Sequence, residues 1–196
     1  AVLTTVISCE KFVETDFPNN QLPTEVVFED EQTAEAALAG LYAGLWTNSL
    51  ISGGIDGMGA LMGTYTDDLT CVYTSGSNGI LDIANNQQVA TNTVVTTAWT
   101  NAYGQIYAAN SIIEGVTNSK SLSQASKDRI KGEALLVRSI IYFNLYQIFG
   151  EIAYTETTNY FINSHLGRMN KDQFLIKLET DLSEAVNLLP SAYRNA

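Results

Sequence analysis

The chain has 196 residues, 45% of them hydrophobic and 16% charged, with a net charge of −11. This is enough apolar material for one sizeable core, while the charged fraction is well below the about 25% of ordinary soluble chains, so much of the exterior is polar without being charged. Acidic residues outnumber basic ones 21 to 10, and no basic cluster exists to track phosphates, which argues against a nucleic-acid partner.

The first segment ends in Val6-Ile7-Ser8-Cys9, the pattern of a lipobox, in which a peptidase cuts before the cysteine and the sulfur takes a diacylglycerol. Residues 1–8 then read as the remnant of a lipoprotein signal peptide. Cys9 is the lipidation site, and a lipid on one residue anchors a chain without spanning the bilayer. The alternatives are an apolar strand ending in a free thiol, or a disulfide from Cys9 to Cys71, the chain's other cysteine. Under lipidation, Cys71 is a free and partly buried thiol.

Residues 9–29 contain Pro18 and Pro23 and read as an extended leader. The rest, 30–196, reads as one helical domain. Its first helix is expected over 31–48, where Ala34, Ala37, Leu38, Leu41, Tyr42, Leu45 and Trp46 recur at helical steps and Glu31 and Glu35 lie near the positive N-terminal end. A glycine-rich stretch over 49–63 lacks the lysine and preceding strand of a nucleotide-binding loop and reads as a flexible connection around an apolar patch at 58–62.

Residues 64–97 form a long irregular region holding Tyr65, Asp67, Asp68, Tyr73 and Asn78. Loops of this length inside a compact domain are often functional. Sugar sites pair carboxylates or amides with an aromatic face, because sugar rings carry hydroxyls on their edges and C–H groups on their faces. These five residues are the candidate ligand contacts. The alternative is a solvated loop with capping aspartates. Asp67 and Asp68 are adjacent and point apart, and the alternating acidic pattern of a calcium loop is missing, so neither a glycosidase pair nor a metal site is expected.

From Ala98 a second stripe runs through Trp99, Tyr103, Ile106, Asn110 and Ile113. Asn110 on that inner face requires hydrogen-bond partners and reads as a buried structural amide. Ser121 with Gln124 fits a capping box opening the next helix. That helix contains the stretch Ile130 to Gly150, apolar nearly all round from 134 to 149, which marks a central helix wrapped by others. Its apolar run, interrupted by Arg138, is short of the about 20 residues a membrane span needs. Arg138 must be paired, with Glu133, Asp67, Asp68 or backbone carbonyls as candidates. Gly150 suits a helix end with φ > 0. The loop from 150 to 167 carries the only histidine, His165, read as a surface residue. A final stripe runs through Phe174, Leu178, Leu182, Ala185 and Leu189 to Pro190, which stops the helix.

Gly132-Glu133-Ala134, Leu136-Val137-Arg138, Tyr142-Phe143-Asn144-Leu145 and Phe149-Gly150 together resemble the signature of the SusD/RagB family of outer-membrane nutrient-binding lipoproteins. Glu151 and Ala153 depart from it, replacing an Asp and a Pro. Trp99, Tyr103 and Asn110 are similar to a second family motif, and Asp181-Leu182, Ala185, Leu188-Leu189-Pro190 and Tyr193 to a third. The resemblance implies an all-α fold of TPR-like antiparallel helix pairs around a buried central helix, with long irregular loops. Trp99, Tyr103, Asn110, Glu133, Arg138, Tyr142 and Phe143 are then structural. It also implies a family N-terminal portion that is cut short at its C-terminus.

The function implied is capture of an oligosaccharide and its delivery to a TonB-dependent, SusC-like transporter. The chain would be lipid-anchored at the outer membrane and surface-exposed, with no catalysis, cofactor, metal or nucleic acid. A ligand-free helical scaffold and a glycoside hydrolase are the rival readings. A single histidine and the lack of a nucleophile motif weigh against the hydrolase.

Overall fold

A computed structural model of the chain describes residues 24–47, 49–54, 57–75 and 79–192. Among these residues all regular structure is helical. The elements are α1 (Thr24–Val27), α2 (Glu31–Thr47), α3 (Met58–Tyr65), α4 (Ile80–Ala84), α5 (Thr93–Asn118), α6 (Gln124–Phe149), α7 (Tyr160–Asn163) and α8 (Lys171–Leu188). No helix among the described residues is long and apolar enough to cross a membrane.

The central helix is α6, packed against α5, α8 and α2. Val137, Ile141 and Leu145 are all at most 1% exposed, as a helix enclosed by three others requires. Its enclosure is incomplete, however. Phe143, expected as a structural residue of the buried run, is 48% exposed, because residues 143 and 147 share a face of α6 that no other helix among the described residues covers.

Cross-contacts fix the directions of the helices. Trp99 meets Phe149 and Asn110 meets Arg138, so α5 and α6 run antiparallel. Lys131 meets Glu184 and Tyr146 meets Phe174, so α6 and α8 also run antiparallel. Phe28 lies against Gly115 while Gln105 lies against Gly44, making α2 antiparallel to α5. By contrast, Glu31 reaches Ser126 and Tyr42 reaches Glu133, so α2 and α6 are parallel. The arrangement is therefore two antiparallel pairs, α2 with α5 and α6 with α8, stacked in the TPR manner.

Helix ends follow local chemistry. Asn92 caps α5 by accepting from the Val94 and Val95 amides, which starts that helix several residues before the expected Ala98. Ser123 caps α6 by accepting from the Ser126 amide. The expected capping box at Ser121 is thus displaced by two residues, and the Ser121 hydroxyl instead donates to Glu29. At Gly150 φ is 72°, so the helix ends there at a residue without a Cβ to clash.

Other boundaries shift as well. The apolar patch within the glycine-rich stretch forms α3, and the irregular region contains α4 and the first turns of α5. The end of the expected leader joins the fold, since residues 24–27 are helical and Phe28 is only 4% exposed against Gly115. Four stripe positions lie at the surface: Tyr42 is 40% exposed, Trp46 81%, Trp99 37% and Leu182 36%. The motif residue Tyr193 lies outside the described residues.

Arg138 is 3% exposed and its charge is met by Asp181, itself 4% exposed. Both Nε and Nη2 of Arg138 donate to Asp181 Oδ2, at 2.9 and 2.6 Å, while Nη1 donates to Asn110 Oδ1 at 2.6 Å. The Tyr154 hydroxyl donates to the same carboxylate oxygen at 2.7 Å. None of the partners expected from sequence is used, because α8 delivers a carboxylate to the middle of α6 that Glu133, a turn and a half away, cannot. Glu133 binds Arg129 and Tyr42 at the surface instead.

Asp181→Ala leaves Arg138 buried and unpaired, and is expected to cost about 3–5 kcal/mol of stability. Arg138→Met combined with Asp181→Leu should recover most of that loss, and urea denaturation of the three proteins measures both effects.

Candidate functional site

The candidate ligand residues of the irregular region fall into two places. Tyr65 ends α3, and Thr66 follows as its C-cap. Asp67 has φ of 63°, a left-handed conformation that aspartate tolerates better than most residues. The chain turns there, with the Leu69 amide donating to the Gly63 carbonyl at 2.9 Å. Asp68 accepts a hydrogen bond from the Thr66 hydroxyl at 3.0 Å. Tyr65, Asp67 and Asp68 are therefore exposed together at the end of one helix.

Tyr73 sits apart, lining a cleft of about 230 Å³ with Leu61, Leu69, Cys71, Val72 and Ile80. Neither Tyr65 nor either aspartate lines that cleft. Cys71 is a free, half-buried thiol. Asn78 and Cys9 lie outside the described residues.

The other end of the irregular region is anchored by Asn92, which is 5% exposed. Its amide nitrogen donates to the Gly79 carbonyl at 3.0 Å and to Asp82 at 3.1 Å, while its oxygen caps α5. Gly79 has φ of 81°, and a Cβ there would also overlap the Asn92 side chain. The start of α4 is thereby tied to the start of α5.

The structural residues named from sequence hold a different segment in place. After Gly150 the chain runs without helix or strand through Ile152 to Thr157, and side chains of α5 and α6 bind its backbone like rungs. Tyr103 donates to the Ala153 carbonyl at 2.8 Å, and Asn110 donates to the Thr155 carbonyl at 3.0 Å. The Tyr142 hydroxyl accepts from the Thr155 amide at 2.7 Å. Tyr142 also stacks on Tyr154 at 4.0 Å, and Trp99 packs against Tyr103 at 4.9 Å. Burial pushes the Tyr142 hydroxyl up to about 12 and raises those of Tyr103 and Tyr154 further, so all three remain protonated.

Glu114 adds a rung that the sequence reading did not identify. Its carboxylate accepts from the Thr157 hydroxyl, the Thr158 amide and the Thr158 hydroxyl at 2.5, 3.0 and 2.5 Å. Burial works to raise its pKa, but these hydrogen bonds outweigh burial and hold it below the ordinary value. Helical spacing from Tyr103, Asn110 and Glu114 was the available signal, since all three project toward the same segment.

Among the described residues no group of three or more His, Cys, Asp or Glu is placed to hold a metal. His165 is exposed, with Nδ1 close to the Phe161 carbonyl.

The chain matches, over residues 12–196, the profile of a SusD-like family described as starch-binding and associating with the outer membrane. It is 27% identical to SusD-like protein P25 of Formosa agariphila over 95% of this chain and 36% of that protein. Its fold is similar to a laminarin binding SusD-like protein, with a TM-score of 0.72 and 21% identity over 83% of this chain and 35% of that one. A SusD superfamily protein from Bacteroides vulgatus gives a TM-score of 0.68 at 21% identity, covering 85% and 36% of the two chains. The chain thus spans about a third of the length of these relatives.

Glu114→Ala should destabilise the fold most at neutral pH. A carboxylate whose folded pKa is depressed stabilises above its unfolded value, here near 4.5, and that stability is lost as pH falls through the lower folded value. Thermal melts should therefore show the gap between variant and parent closing as the pH is lowered from 7 to about 3.

Proposed function

The chain belongs to the SusD-like family of starch-binding, outer-membrane-associating proteins, and from that membership we propose that it is a glycan-capturing component of an outer-membrane nutrient uptake system. The family match across 12–196 carries this reading. The similar fold of a laminarin binding protein supports a saccharide as the ligand.

In this reading the protein holds oligosaccharide and passes it to a TonB-dependent, SusC-like transporter, breaking no bond. Tyr65, Asp67, Asp68, Tyr73 and Asn78 supply ring faces, carboxylates and an amide for sugar contact. Cys9 carries the lipid that tethers the chain to the outer membrane with its helical domain at the cell surface.

Isothermal titration of the full chain with laminari-, malto- and xylo-oligosaccharides should give saturable heat for at least one of them, with no reducing ends released. Tyr73→Ala should weaken that binding. Absence of heat with every sugar would favour a ligand-free scaffold, and release of reducing ends would make the protein a hydrolase. Mass measurement after expression in a lipoprotein-processing host should show diacylglycerol on Cys9, and an unmodified thiol would remove the anchor.

A further inference from the structure

The face of α5 beside its Tyr103–Asn110 stripe lines a second cleft. Tyr107, Ser111, Glu114 and Asn118 follow one another at helical spacing along it, and Glu29 and Thr158 help to complete a volume of about 730 Å³. It has no lining residue in common with the Tyr73 cleft. At one point Phe28 lies so close to Gly115 that a Cβ on the glycine would overlap the ring. The short connection from α1 to α2 is thereby pressed onto α5, which brings Glu29 beside the C-terminal end of that helix.

Both carboxylates in the cleft are already fixed in place. Glu29 accepts from the Lys120 amide at 3.0 Å and from the Ser121 hydroxyl at 2.5 Å. Those bonds hold it below the ordinary carboxylate range, so it is ionised at neutral pH. Glu114 is held by Thr157 and Thr158, as described above. A carboxylate offers about four acceptor positions, so each keeps capacity for a further donor. Tyr107 is 55% exposed. It adds a ring surface to this lining, while Ser111 and Asn118 add a hydroxyl and an amide whose polar atoms have no protein partner among the described residues.

The geometry points to this cleft as a binding site for an uncharged, hydroxyl-rich ligand, a neutral saccharide, with Tyr107 under the sugar face and Glu29, Glu114 and Asn118 taking its hydroxyls. The size is that of a small-molecule site, about 300–1,000 Å³. Charge selects the class. Two carboxylates face one ammonium, that of Lys120, at the negative end of a helix dipole, in a chain of net charge −11. Uronate or sulfated saccharides are repelled there, whereas neutral hydroxyls donate to the acceptors. The ligand class rests on the proposed function, but the location does not.

The test is a titration of the full chain, labelled with ¹⁵N, with laminarihexaose, maltohexaose and an oligogalacturonate, alongside calorimetry. The expected result is amide shifts at 107–118 and around Thr158 with a neutral sugar and none with the uronate. Tyr107→Ala should weaken affinity at this cleft about tenfold or more, the scale of an aromatic anchor. Tyr107→Phe should keep that affinity, and Ser111→Trp, which fills the cleft, should abolish the 107–118 shifts while leaving binding at 64–75 in place. Melting curves establish that each variant is folded.

If neutral sugars bind but the shifts map to 64–75 and the Tyr107 and Ser111 variants bind normally, this site is overturned and the proposed function stands. Tighter binding of the uronate at 107–118 overturns the ligand class. If no saccharide binds the parent chain, both the site and the proposed function fail.

Discussion

The structure depends on the requirement that one buried guanidinium be neutralised. Arg138 stands in the middle of the central, buried helix, where an unpaired charge would be costly, and the fold satisfies it with a carboxylate from α8 and an amide from α5. Each partner carries its own consequence. Asp181 reaches it from α8, which lies antiparallel along α6, and Asn110 reaches it from α5, which is also antiparallel to α6. Tyr154 reaches the same carboxylate and so brings the 152–157 segment into the arrangement. Three helices and one irregular segment converge on one charge.

The segment is ordered by borrowed hydrogen bonds. It forms no helix or strand, so its backbone groups need other partners, and Tyr103, Asn110, Tyr142 and Glu114 provide them. The aromatic rings above it contribute a second layer, with Tyr146 stacked on Phe174 at 4.1 Å and Tyr154 edge-on to the same ring at 5.8 Å. Burial of the tyrosine hydroxyls keeps them protonated across the physiological range, so the contacts do not titrate where the protein works.

Much of this was legible in the residues alone. Apolar periodicity located α2, α5, α6 and α8, the glycine at 150 marked the end of α6, and Arg138 was recognised as a charge in need of a partner. Its partner was not recognised, because Asp181 lies 43 positions away on another helix, although its spacing of three from Leu178 and four from Ala185 puts it on the buried stripe of α8. The cap of α6 was misplaced because Ser119, Ser121 and Ser123 alternate within one turn, and hydroxyl chemistry alone does not say which one the helix uses. The pairing of α2 with α5 and of α6 with α8 left no readable repeat, since residues 48–92 separate the first pair while 150–170 separate the second. A fixed period cannot survive insertions of such unequal length.

The polar face of α5 shows why candidate sites are harder to read than folds. Every amphipathic helix has a hydrophilic side, so Tyr107, Ser111, Glu114 and Asn118 look in sequence like ordinary solvent contacts. What sets them apart is the arrival of Phe28 and Glu29 from one direction and Thr158 from another, which turns an open helix face into a walled cleft. Those arrivals are products of tertiary packing, traceable to a missing Cβ at Gly115 and to the segment held by Asn110 and Glu114. The same contacts that stabilise the fold therefore also hold acceptor groups in fixed positions, and a ligand meeting acceptors already in place loses less of its binding energy to ordering them.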